Sequence, residues 1–141
     1  YKFTSSGLIG DDELDTIFSC EYTKDSDVGT YVITPTDCTF TSGVKNNYNI
    51  EYVNGTLSVY GSSYNKASKT VKIYSNHDTD VDCYVVSYAE NGTLDGIKKE
   101  HCSLKADKIS TIDISSLKIS ENDSIKIFLW DNNLTPVEIT N

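Results

Sequence analysis

The strongest constraint on this chain is an alternation of period two. Short runs rich in β-branched and aromatic residues recur at 16–22, 30–34, 48–52 and 55–60, then at 70–75, 81–90, 96–104, 109–114, 124–131 and 137–140. In most of them apolar and polar side chains alternate, which is the pattern of half-buried strands. Turn-forming clusters separate them at 24–28, 35–37 and 53–55, with a longer polar loop at 41–47. The only helix-like stretch, 11–15, is about one turn long and too short to stand alone. Strands spaced about ten residues apart with turns between them predict sandwiches. The fold class is therefore all-β, organised as two tandem small β-sandwich modules. Residues 62–66, small and polar, read as a linker between a module at 1–61 and another at 67–141.

Within 124–131, Ile125, Ile127 and Leu129 share one face while Phe128 and Trp130 load the other. Such a strand is expected to be covered on both sides, with Trp130 in the core. Exposed aromatic rings would instead offer stacking surfaces for sugars, with Tyr52, Tyr60, Tyr64, Tyr74 and Tyr84 as further candidates. Alternation equally makes these tyrosines sheet-face packing.

Charge narrows the function. Twenty-one acidic residues outnumber twelve basic ones, every basic residue is Lys, and the net charge is -9. Nucleic acid and anionic membranes both need clustered cations, so neither is expected as a partner. No run approaches the roughly 18 apolar residues of a membrane span, and no membrane insertion is expected. The chain opens at Tyr1 without a basic, then apolar, leader, as expected of a piece of a longer secreted protein. The Asn-X-Ser/Thr triplets at Asn54, Asn91, Asn122 and Asn133 read as turns.

The four cysteines fall as Cys20 with Cys38 and Cys83 with Cys102, without metal-binding spacing. Two local disulfides, Cys20–Cys38 and Cys83–Cys102, are the expectation for modules too small to bury much core. The second pair has a geometric basis. A turn over 91–94 that sets Glu90 opposite Asp95 also sets Cys83 opposite Cys102, within reach of a bond. A turn built on Asn91-Gly92 as a two-residue loop puts Cys83 opposite Glu100 instead, and free thiols remain the alternative.

Convergent catalytic sets are missing from the sequence. His77 and His101 are the histidines, neither in a recognisable motif, and no glycine-rich phosphate loop leads from a strand into a helix. Catalytic and cofactor-binding residues are both expected to be none, and the chain is not expected to be an enzyme. Asp78, Asp80 and Asp82 offer alternate carboxylates and form a weak calcium candidate, against the plain reading of a solvated turn.

Two resemblances extend this reading. Ser6-Gly7-Leu8-Ile9-Gly10-Asp11-Asp12, Asp27-Val28-Gly29-Thr30-Tyr31-Val32-Ile33, Asn47-Tyr48-Asn49-Ile50-Glu51-Tyr52 and Gly55-Thr56-Leu57-Ser58-Val59 resemble the mostly bacterial Ig-like MBG repeat over residues 1–60. The resemblance implies a non-catalytic stalk or adhesive module of secreted and wall-attached bacterial proteins. Its usual opening strand and Tyr-Gly-type turn would precede Tyr1, and its paired cysteines are not a usual family feature. Residues 66–141 resemble a sandwich-like module near the C-termini of clostridial-type extracellular proteins. That likeness rests on Val85-Val86-Ser87-Tyr88-Ala89-Glu90-Asn91-Gly92-Thr93-Leu94 and on the run from Ile125 to Val137; it implies an accessory role.

The functional expectation is a non-catalytic structural or adhesive module pair of a larger extracellular or cell-wall-attached bacterial protein. Its partners would be neighbouring modules and a cell-surface protein or glycan. The alternative is a carbohydrate-binding accessory pair of an extracellular glycosidase or wall hydrolase.

Overall fold

In a computed structural model the described residues, 2–139, form nine strands and one 3-10 turn, Lys45–Asn47. The chain divides into two compact units, Tyr1–Lys24 with Thr30–Ser58, and Asp25–Gly29 with Val59–Asn141.

The first unit is built on one sheet of order β1-β2-β3, from β1 (Glu13–Cys20), β2 (Gly29–Ser42) and β3 (Gly55–Val59). Burial along β1 alternates residue by residue, with Leu14, Thr16, Phe18 and Cys20 on the half-buried face. That alternation begins at Glu13, so the helix-like 11–15 is instead a turn running into the strand. The turn expected at 35–37 is also strand. Ile17 pairs with Asp37 and Phe18 with Pro35, leaving Thr36 as the extra residue of a bulge. A bulge is one of the few places where a ladder tolerates proline, which has no N–H to donate.

Residues 48–52, expected as a strand, are irregular. Their aromatic residue serves as an anchor: the Tyr48 ring stacks on Phe40 at 4.9 Å. The Tyr48 hydroxyl donates to the Asp12 carboxylate and accepts the Ile9 N–H. Gly43 closes against the same carboxylate, at φ +93°, where a Cβ would stand 2.3 Å from Asp12. Among the described residues of this unit only Cys38, at 4% exposure, is fully buried.

The second unit is a two-layer sandwich. One sheet has the order β4-β5-β8, from β4 (Gly61–Asn65), β5 (Thr70–Tyr74) and β8 (Ile109–Asp113). The other has the order β7-β6-β9, from β6 (Thr79–Tyr88), β7 (Leu94–Leu104) and β9 (Ser124–Trp130). Val71, Ile73 and Ile112 from the first sheet meet Val81, Cys83 and Val85 from the second. Leu104, Ile114, Leu117 and Ile139 complete this core, and Ile125, Ile127 and Leu129 pack against it.

The expected linker is therefore a correction: 62–66 falls largely within β4, with Ser63 opposite Lys72 and Tyr64 opposite Val71. Its polar composition has a structural cause. Asp27 accepts hydrogen bonds from Lys72 at 2.8 Å, Ser63 at 3.1 Å and Asn65 at 3.3 Å. The small polar side chains of β4 thus face a carboxylate, while Tyr64 packs on the core. The run expected at 137–140 gives no strand. Pro136 forms an isolated bridge with Trp130, Ile139 is buried, and Thr140 lies outside the described residues.

The hairpin joining β6 and β7 turns differently from the expected 91–94. Gly92, at φ +82°, bonds its N–H to Ala89 O, and Ala89 N–H bonds to Thr93 O. This is a three-residue loop, with the left-handed position given to glycine. Tyr88 then faces Leu94, Ser87 faces Gly96, and a bulge lies between them.

Removing side chain from this core should act as a cavity mutation. Ile73→Ala is expected to lower the stability of the second unit by about 2–5 kcal/mol. Asp27→Ala, which strands three donors, should cost about 1–3 kcal/mol. Leu134→Asn, at a 61% exposed position, should stay within about 0.5 kcal/mol. Urea titration followed by Trp130 fluorescence reads all three.

Candidate functional site: an aromatic sheet face

Because Val81, Cys83 and Val85 point into the sandwich, Asp82, Tyr84, Val86 and Tyr88 must point out of it. Register extends this face across three strands. His101, Asp82 and Trp130 form one row, Lys99, Tyr84 and Phe128 the next, and Ile97, Val86 and Lys126 the third. The rings touch: Tyr84 and Trp130 have centroids 5.1 Å apart, Phe128 and Trp130 5.6 Å. The Lys99 ammonium lies 5.4 Å from the Tyr84 centroid, and Lys126 lies 5.4 Å from that of Tyr88.

Trp130 is thus half-buried on the outer face with Phe128, a correction of the expected core position. The strand holds its aliphatic side chains inward and its aromatic ones outward. Of the other tyrosines, Tyr74 is buried and stacks on Tyr60 at 4.8 Å, both hydroxyls reaching Asp107. Tyr64 packs on the core and Tyr52 is exposed in the first unit.

A polar network crosses the aromatic rows. Asp82 accepts from Lys99 at 2.7 Å and from His101 Nδ1 at 3.0 Å. Its side chain is 9% exposed, whereas those of Lys99 and His101 are 52% and 56% exposed. The Lys99 ammonium, and then the His101 hydrogen bond, hold the Asp82 carboxyl below its ordinary value of 3.8. Asp82 and then Tyr84 hold Lys99 above 10.5. The network presents cationic and hydrogen-bonding groups on a buried carboxylate base.

The calcium candidates do not converge. Asp78 accepts from Lys105 and from the Ala106 N–H, each at 2.8 Å, Asp80 sits opposite Ser103, and Asp82 belongs to the network above. No three metal-ligating side chains cluster among the described residues. His77 and His101 have different partners: His77 Nδ1 lies 2.6 Å from Asn76 Oδ1, and His101 faces Asp82.

The cysteine pairing is also corrected. All four are free thiols. Cys20 faces Ile33 and Cys38 faces Thr16, while Cys83 faces Glu100 and Cys102 faces Val81. Neither expected pair is directly opposed, and for Cys83 and Cys102 the cause is the turn at Gly92, which shifts the β6–β7 register by two residues. Burial, followed by the neighbouring Cys102 and Glu100, pushes the Cys83 thiol up to about 12.

The first unit holds a separate groove of about 480 Å³, bordered by Phe3, Leu14, Phe18, Ile33, Phe40 and Tyr48. Sequence reasoning missed both this groove and the Asp82–Lys99–His101 network. Alternation from Asp82 to Tyr88 marks the outward residues of β6, yet only the cross-strand register shows what stands beside them.

Compared with known proteins, residues 1–58 match the family model of the MBG domain (YGX type), which supports an MBG repeat in the first part of the chain. MBG repeats are non-catalytic modules typical of extracellular bacterial proteins. No curated protein and no solved structure matches the chain. No helix among the described residues is long and apolar enough to cross a membrane.

Two outcomes follow. Asp82 should titrate below 3.8, and Lys99→Met should raise its midpoint, read by carboxyl-carbon NMR. Because the folded value is depressed, its stabilisation is complete above the unfolded value and is lost as pH falls through the folded one. For the thiols, a disulfide-exchange reagent should titrate all four in guanidinium, whereas Cys83 should stay unreactive in the native protein.

Proposed function

We propose that this chain is a non-catalytic structural or adhesive module pair of a larger secreted or cell-wall-attached bacterial protein. The observation that carries the proposal is the MBG match over residues 1–58, followed in the chain by an all-β sandwich. The charged groups of that sandwich support the same reading: Asp27, Asp78 and Asp82 are each engaged by lysine. They work as structural ties. The partners are the neighbouring modules of the parent protein and a cell-surface protein or glycan.

The outward aromatic rows favour a second reading, in which the pair is a carbohydrate-binding accessory of an extracellular glycosidase or wall hydrolase. Both readings place the chain outside the cytoplasm. Antibody raised against it should label intact, unpermeabilised producing cells or the culture medium. Recovery from the cytosolic fraction alone would refute the proposal, as would hydrolysis of wall polysaccharide by the isolated chain. A catalytic domain on the same gene product would favour the accessory reading over the stalk.

A further inference from the structure

We infer that the outer face of the β7-β6-β9 sheet is a binding site for a soluble chain of pyranose sugars. The inference rests on the extracellular reading above and goes beyond it by naming a site and a ligand class.

An antiparallel sheet whose other face is packed normally turns polar residues to solvent. This one carries Tyr84, Tyr88, Phe128 and Trp130, all half-buried, around a buried Val86, and β7 adds Ile97 at 55% exposure. The inward face, by contrast, is aliphatic. Aromatic rings offer apolar faces that match the C–H faces of a pyranose, and a few directed polar groups beside them set orientation. Those polar groups are in place. Asp82 fixes Lys99 and His101 from beneath, so that Lys99 stands beside Tyr84 in its row and His101 stands in the row of Trp130, across β6 from it.

Ring geometry narrows the ligand. Trp130 is inclined at 49° to Tyr84 and at 45° to Phe128, so the three rings make no flat platform. A flat crystalline polymer surface cannot contact all three, whereas a single chain with successively rotated rings can. Charge argues against other occupants. Nucleic acid would need more cations than this -9 chain supplies. A second copy docked over this face would have to cover the Lys99 and Lys126 ammonium groups of both copies.

The test uses the whole chain on an array of soluble oligosaccharides and polysaccharides, with each ligand found then titrated by Trp130 fluorescence and amide NMR. Binding is expected, with shifts concentrated at Ile97, Lys99, His101 and Lys126. Trp130→Ala and Tyr84→Ala should each weaken affinity roughly tenfold. Lys99→Met removes a partner of Asp82 and the ammonium over Tyr84, so its binding is read beside its urea midpoint: weaker binding at an unchanged midpoint would tie the polar network to recognition, and unchanged binding would remove Lys99 from it. No ligand on the array would overturn the inference, and so would shifts mapping to the first-unit groove. Binding to microcrystalline polysaccharide alone would overturn the single-chain geometry, and concentration-dependent dimerisation that protects these amides would assign the face to a second copy. A chain found at the cell surface that binds no sugar would sink this site and leave the module-pair reading standing.

Discussion

The second unit depends on β6 being paired along both edges. Backbone ladders to β7 and β9 satisfy its peptide groups, so its side chains are free to divide between two environments. Val81, Cys83 and Val85 are 1% exposed or less and hold the two sheets together. Asp82, Tyr84 and Val86, between them, organise the opposite surface. One strand thus fixes both the core and the candidate binding face. A change that frays it would lose the two together.

The first unit solves the same problem with less apolar area. Its sheet has one fully buried side chain among the described residues, so the hydrophobic term alone is weak. Directed contacts carry more of the burden. Tyr48 ties the loop after β2 to Asp12 and Ile9 while stacking on Phe40. Gly43 allows the close approach to Asp12. Such contacts specify a geometry while excluding little water, which agrees with a groove left along the sheet's half-buried side.

Most strands were legible because period-two alternation is a local property. Where side chains had a different task, the pattern misled. The 48–52 run looks like a strand because Tyr48 and Ile50 are apolar in alternation, but Tyr48 serves an anchor across 36 residues to Asp12. The 62–66 run looks like a linker because its serines and asparagine are small and polar, but they answer Asp27, a partner distant in sequence. Pro35 looks like a turn, and the bulge that admits it exists only once β1 is alongside. In each case the deciding partner lies at least 17 residues away, beyond any local window.

The cysteines and the aromatic face teach the same distinction through one hairpin. The observed register differs from the expected one by two residues, so Cys83 meets Glu100 and Asp82 meets His101. A two-residue shift preserves parity, and every β6 side chain keeps the face that its sequence position assigns. Partners, however, all change: in the expected register Asp82 would have faced Ser103, and Tyr84 would have faced His101. Faces are therefore readable from alternation alone, while pairs depend on the turn. Here the turn rests on Gly92, whose positive φ centres the loop one step away from the bond-forming register. The glycine that separates the two thiols is also what brings Lys99 beside Tyr84 and His101 beside Asp82.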